Sequence, residues 1–163
     1  MRGDNTGWRV KGIGYRDKKI QITNFHKGYK LNKRFLKRIV SHILNFCKPL
    51  KKIELEIIFL TDDGIKVLNR KYKGRNEPTD VLSFDLDMVG EIFISLDRAF
   101  ANSKSFGTVF TDEVALYMIH GILHLAGYDD KAARARRRMS ARENEVLEYL
   151  CTKEDLSKVL MPR

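Results

Sequence analysis

The chain has 163 residues, 43% hydrophobic and 32% charged, with a formal net charge of +10. That length suits one domain around one core, and the composition is that of a globular chain, neither disordered nor membrane-spanning. No segment approaches the ~20 apolar residues of a transmembrane helix, and the opening Met1–Trp8 carries no apolar leader run. Cys47 and Cys151 lack metal-type spacing and cannot build a disulfide framework, so a reduced, cytoplasmic protein is expected.

The positive charge is unevenly placed. Residues 1–40 hold twelve Lys and Arg against two Asp, whereas the remaining nineteen basic and nineteen acidic residues cancel. Two local clusters stand out in the balanced part: Lys66, Arg70, Lys71, Lys73 and Arg75, then Lys131, Arg134, Arg136, Arg137, Arg138 and Arg142. Such clusters suit a polyanion, and nucleic acid fits better than a membrane because no strongly amphipathic basic helix with aromatic anchors accompanies them.

In chain order, Lys18–Phe25 alternates weakly and reads as a strand. Apolar residues at Leu31, Phe35, Ile39, Ile43 and Phe46 predict an amphipathic helix over Leu31–Cys47, stopped by Pro49. Ile53–Leu60 is a strand with Ile53, Leu55, Ile57 and Phe59 on one face and Glu54 and Glu56 on the other. Thr61 caps a helix whose first turn carries Asp62 and Asp63 at the positive end of the dipole, and which runs through Ile65, Leu68 and Tyr72 to Gly74. Pro78–Phe84 leads into a third strand and Gly90–Ser95 gives a fourth, close enough to pair as a hairpin. The chain turns helical from Asp97, Thr111 is the candidate cap of the next helix, and a last helix spans roughly Ala132–Leu150. The pattern predicts one α+β domain over residues 18–152, with a basic extension over 1–17 and a tail over 153–163.

The stretch His120-Gly-Ile-Leu-His124-Leu-Ala-Gly127-Tyr128-Asp129-Asp130 carries the chemistry. Residues four apart share one helix face, so both imidazoles address one small volume. Gly127 can take the left-handed conformation that ends a helix and lets Asp130 return to the pair. Val114–Leu125 is otherwise apolar, and buried imidazoles need partners. Two histidines, a carboxylate and an open position make a catalytic zinc shell. In the protease motif H-E-x-x-H the glutamate is the base, and its position here is Gly121, which cannot move a proton.

Taken together, Leu68-Asn69, Tyr72-Lys73, Pro78–Phe84, Gly90-Glu91-Ile92 and His120–Asp130, with Met139, Glu143 and Glu145 beyond, resemble the YbeY family of bacterial metal-dependent endoribonucleases. The resemblance runs from about residue 53 to residue 150. It implies a mixed four-stranded sheet packed with about five helices, a zinc site on a buried helix, and a role in ribosomal RNA maturation and ribosome quality control at the small subunit. Three positions depart from the family pattern: Asp130 replaces a histidine ligand, Lys73 a phosphate-gripping arginine, and Asp85 a proline. Aspartate remains a competent zinc ligand and admits harder metals more readily. Lysine keeps the charge without the bidentate fork, and Arg70 or Arg75 can supply what it lacks.

The expected activity is hydrolysis of single-stranded RNA, with the attacking group open between a water and the RNA 2′-hydroxyl. DNA and membrane are not expected partners. Asp129 reads either as an outer partner orienting an imidazole or as a turn residue bonding its own backbone. Two rival readings remain: a metzincin-like zinc peptidase, and a ribosome-associated RNA-binding factor without catalysis.

Overall fold

A computed structural model describes residues 19–47, 50 and 54–162. The expected 1–17 extension, Lys18, the helix stop at Pro49 and Ile53 lie outside them. Strands β1 (Lys19–Asn24), β2 (Glu54–Leu60) and β4 (Val89–Ser95) run parallel, and β3 (Val81–Leu86) pairs antiparallel with β4 at one edge, giving the order β1-β2-β4-β3. The mixed four-stranded sheet implied by the resemblance is therefore present. The β3–β4 hairpin turns through Asp87, whose φ of 59° is the left-handed conformation that aspartate tolerates.

Alternation in β2 buries Leu55, Ile57 and Phe59 with Ile92 and Ile94 of β4 against the helices. Glu54 points to the other face, where it takes the Gln21 amide at 2.5 Å and the Lys19 ammonium at 3.1 Å, while Glu56 accepts from Thr23. Helices α1 (Lys33–Phe46), α4 (Phe110–Leu125) and α5 (Ala133–Lys153) build the main core. Helix α2 (Asp62–Lys73) lies on the opposite face, where its Tyr72 meets Phe84 edge-on and Phe84 meets Phe93. Thr61 accepts from Gly64 N–H at its start and Gly74, at φ 70°, closes it, as the sequence predicts.

Helix α3 (Leu96–Phe106) begins one residue before Asp97, because Ser95 is its cap. Thr111 is not the cap of α4: it is buried inside the helix, which starts after Val109, and the entry is braced instead by Thr108 Oγ1 donating to Glu113 at 2.5 Å. The residues expected as a tail pack onto the core. Glu154 accepts from Arg38 and lies against His42, Leu156 and Val159 are buried, and Asn32 N–H donates to the Val159 carbonyl. Among the described residues no helix is long and apolar enough to cross a membrane.

Candidate metal centre

Helix α4 runs through the middle of the molecule with ten of its residues buried, so its two histidines emerge only where the helix leaves the core. Its backbone lies close on β4: a Cβ on Gly121 would stand 2.5 Å from Ile92 Cγ2, which explains a glycine where the protease motif has glutamate. The helix ends with Tyr128 N–H on the Leu123 carbonyl, Gly127 N–H on the His124 carbonyl, and Gly127 at φ 95°. That hydrogen-bond pair is the Schellman arrangement, and the left-handed residue reverses the chain over the helix end.

The reversal brings Tyr128 O to within 3.0 Å of His124 Nδ1 and Asp130 Oδ2 to 3.4 Å from His124 Nε2 and 3.9 Å from His120 Nε2. The two Nε2 atoms are 3.0 Å apart, and all three ligand atoms lie within 4.8 Å of one another. The sequence-predicted triad thus converges. Asp129 does not join it: its Oδ1 accepts from Asp130 and Lys131 N–H at 2.7 and 3.0 Å, the turn-residue alternative. Arg136 steadies the same turn by donating to the Lys131 carbonyl at 2.7 Å.

Hydrogen bonding settles the tautomers. A carbonyl only accepts, so His124 Nδ1 must carry the proton it gives Tyr128. His120 Nδ1 meets the Glu143 carboxylate and is likewise the protonated nitrogen. In neutral rings both Nε2 atoms then present lone pairs to each other and to a carboxylate oxygen. Three acceptors facing one point without a donor is an arrangement that a cation resolves. Ligands at 2.0–2.1 Å on a tetrahedral ion stand about 3.3 Å apart, and the observed 3.0, 3.4 and 3.9 Å bracket that spacing. Burial opposes charge on His120, but the Glu143 hydrogen bond, with Glu143, Asp130 and Asp80 charges, outweighs it and raises its pKa.

The triad opens into a cleft of about 920 Å³ that Lys73 and Arg75 also line. Arg70 does not reach it and stays exposed on α2. The Lys73–Arg75 turn is held from below by Asn69, which is 3% exposed and donates through Nδ2 to the Glu77 carbonyl at 2.8 Å. The endoribonuclease YbeY family matches residues 20–151.

The chain belongs to that family.

Endoribonuclease YbeY of Geobacter sulfurreducens is 32% identical over 144 residues, spanning 81% of this chain and 95% of the relative. That of Persephonella marina is 33% identical over 130 residues, 74% of this chain and 84% of the relative. The solution structure of a Thermotoga maritima protein is similar with a TM-score of 0.60 at 28% identity, covering 82% of this chain and 90% of that one.

One residue of the site, Glu143, escapes motif reading. Glu143 lies twenty-three positions beyond His120 on another helix. Its trace in the sequence is an acid set among the buried residues of α5, Met139, Val146 and Leu150, at helical spacing. Arg142, counted in the second basic cluster, turns inward instead: it lies over the Phe46 ring and donates to the Phe46 carbonyl and Glu145. Arg134, Arg137 and Arg138 remain exposed along the start of α5.

Proposed function

We propose that this chain is a metal-dependent hydrolase that cleaves single-stranded RNA internally, acting on ribosomal RNA at the small ribosomal subunit in the cytoplasm. His120, His124 and Asp130 hold one zinc ion with a coordination position open to the cleft. The observation that carries this reading is three ligand atoms, Nε2 of both histidines and Asp130 Oδ2, within 4.8 Å of one another in a cleft that also bears Lys73 and Arg75. Bound there, the ion supplies Lewis-acid stabilisation of charge developing on a phosphoryl oxygen.

The chain's own residues do the rest. Tyr128 O and Glu143 fix the proton on Nδ1 of each histidine, keeping both Nε2 atoms as acceptors. Lys73 and Arg75 bind the scissile phosphate from across the cleft, Arg75 with the fork that lysine lacks. The exposed arginines of α5 and Lys131 bind flanking phosphates, which makes binding fall steeply with salt. Peptide hydrolysis by the H-E-x-x-H route has no base here, and Ile92 leaves no room beside Gly121 for a glutamate.

The test is cleavage of single-stranded and duplex RNA by protein stripped with chelator and reloaded with zinc, manganese or magnesium. Cleavage of the single strand alone, restored by metal and absent in His120→Ala and His124→Ala, is expected. Asp130→Ala should lose about 10-fold or more in zinc affinity. Metal-independent cleavage, or unchanged zinc affinity in Asp130→Ala, contradicts the assignment. Binding of RNA without cleavage in any metal points to the non-catalytic binding factor.

A further inference from the structure

The cleft does not sit on one face of the sheet. Asn69 and Lys73 reach it from α2, while Tyr117, His120 and His124 reach it from α4 on the other side. Between them, five consecutive residues, Thr79 to Ser83, line it as well, including Leu82, whose side chain turns away from α4. Side chains on alternate faces cannot all line one cleft unless the cleft runs along the strand's open edge. Among the described residues β3 pairs only with β4, so its other edge is open at Val81 and Ser83.

The register says which main-chain groups face it. Ser95 N–H donates to the Asp80 carbonyl at 2.9 Å, so Asp80 and Ser95 are a hydrogen-bonded pair, and so by alternation are Leu82 with Phe93 and Phe84 with Glu91. Val81 and Ser83 therefore direct both N–H and C=O outward, away from β4. Neither N–H nor C=O of these two residues bonds another described backbone group. The Ser83 hydroxyl is already turned to the Gly121 carbonyl at 3.3 Å, which ties β3 to the helix bearing the histidines.

We infer that the free edge of β3, through the main-chain N–H and C=O of Val81 and Ser83, holds the base of the nucleotide next to the scissile phosphate. This deepens the proposed endoribonuclease reading and rests on it for the substrate class. An outward strand residue offers a donor and an acceptor side by side, and the edge of an unpaired base offers the complementary pair. An extended peptide is the other chain that adds to a strand edge. Asp80, Asp85, Asp129, Asp130 and Glu143 line the cleft as well, but Asp130 and Glu143 are engaged at the histidines and Asp129 in its own turn, so the cations Lys73, Arg75 and Lys131 favour the chain that carries phosphates.

Proline tests the edge selectively. At position 81 it removes an outward N–H and at position 83 an outward N–H together with the hydroxyl on Gly121, both sparing the ladder as an edge strand tolerates, whereas at 82 it removes a ladder donor to β4. Val81→Pro and Ser83→Pro should fold, and Leu82→Pro should not. The metal-loaded full chain is assayed on a single-stranded RNA and on versions with one abasic nucleotide at each position around the cut. In the parent, one abasic position beside the cut should slow cleavage about 10-fold. In Ser83→Pro or Val81→Pro that penalty should shrink to about 3-fold or less, as the lost hydrogen bond is shared between the two changes.

Amide hydrogen exchange reads the same contact without cleavage. The Val81 and Ser83 amides should exchange fast in the free protein and slow when a non-cleavable RNA is added. Cleavage by the parent with an unchanged abasic penalty in both proline variants, and no protection of these amides, overturns the inference and leaves the nuclease intact. Protection without cleavage removes the nuclease and keeps the edge contact. Protection by an unphosphorylated peptide but not by RNA overturns the choice of ligand.

Discussion

The Glu143 carboxylate of α5 meets His120 Nδ1 of α4 across the helix interface, and this contact leaves Nε2 as the ring nitrogen that His120 turns to the cleft. An outer carboxylate of this kind orients a ligand ring and raises its basicity. Glu143→Gln keeps the shape and removes the charge, and Glu143→Ala removes both. Zinc affinity should fall about 10-fold in the first and up to about 100-fold in the second, with the fold retained. Competition with a chromophoric chelator measures it. Equal affinity in all three proteins would mean that His120 is oriented by its backbone alone.

The imidazole pair was legible because helical spacing is a local property: four residues on one face need no tertiary knowledge. Gly127 was legible for the same reason, since its positive φ of 95° follows from where an apolar helix must stop. Glu143 was not, because the α4–α5 packing that brings it to His120 is absent from any local pattern. Alternation in Ile53–Leu60 revealed a strand, but not that it lies between two parallel neighbours with Ile58 buried on its second face. Thr111 was misread as a cap because a threonine before an apolar run satisfies the rule wherever the first turn begins. Residues 153–163 read as a tail because the anchors among them, Leu156 and Val159, show no periodic pattern and dock against the chain near Asn32.

The placement of three cations separates their roles. Lys73 and Arg75 line the cleft with the triad, and Arg70, on the exposed side of α2, does not. Lys73→Ala and Arg75→Ala should each lower single-turnover cleavage by about 10-fold or more, the scale of a charge-assisted contact to phosphate, with the melting temperature nearly unchanged. Lys73→Arg should match or exceed the parent. Arg70→Ala should change little beyond the salt dependence. A larger loss in Arg70→Ala than in the other two would reassign the clamp.

Glu154 gives a pH dependence that is independent of the metal site. The Arg38 hydrogen bond, helped by His42 and the charges of both, holds its carboxyl below the usual range for glutamate. A carboxyl depressed on folding adds stability that is present above its unfolded value and lost as pH falls through its folded value. Glu154→Gln should therefore lower the melting temperature by a few degrees at neutral pH. The gap should close as pH falls below about 4.5, the unperturbed range of glutamate. Thermal melts at several pH values measure it. A gap that persists at the acid end would assign the effect to shape rather than charge.

Gly121 is where packing and chemistry constrain each other. Alanine is the better helix former by about 1 kcal/mol in an exposed helix, so Gly121→Ala would stabilise α4 if space allowed. Space does not allow it: the added Cβ would stand 2.5 Å from Ile92 Cγ2 and 3.0 Å from Cδ1, and Ile92 is itself fully buried between β2 and the helices. Overpacking of this kind costs about 1–3 kcal/mol, enough to reverse the gain. Urea titration should show Gly121→Ala less stable than the parent, and Gly121→Ala with Ile92→Ala should be less destabilised than the sum of the two single changes, because alanine at 92 removes both Cγ2 and Cδ1 from the contact. Gly121→Glu, which writes the protease motif into this helix, should fail to fold rather than gain peptidase activity. A folded Gly121→Glu protein that cleaves casein would show that α4 can lift from β4, and would reopen the peptidase reading.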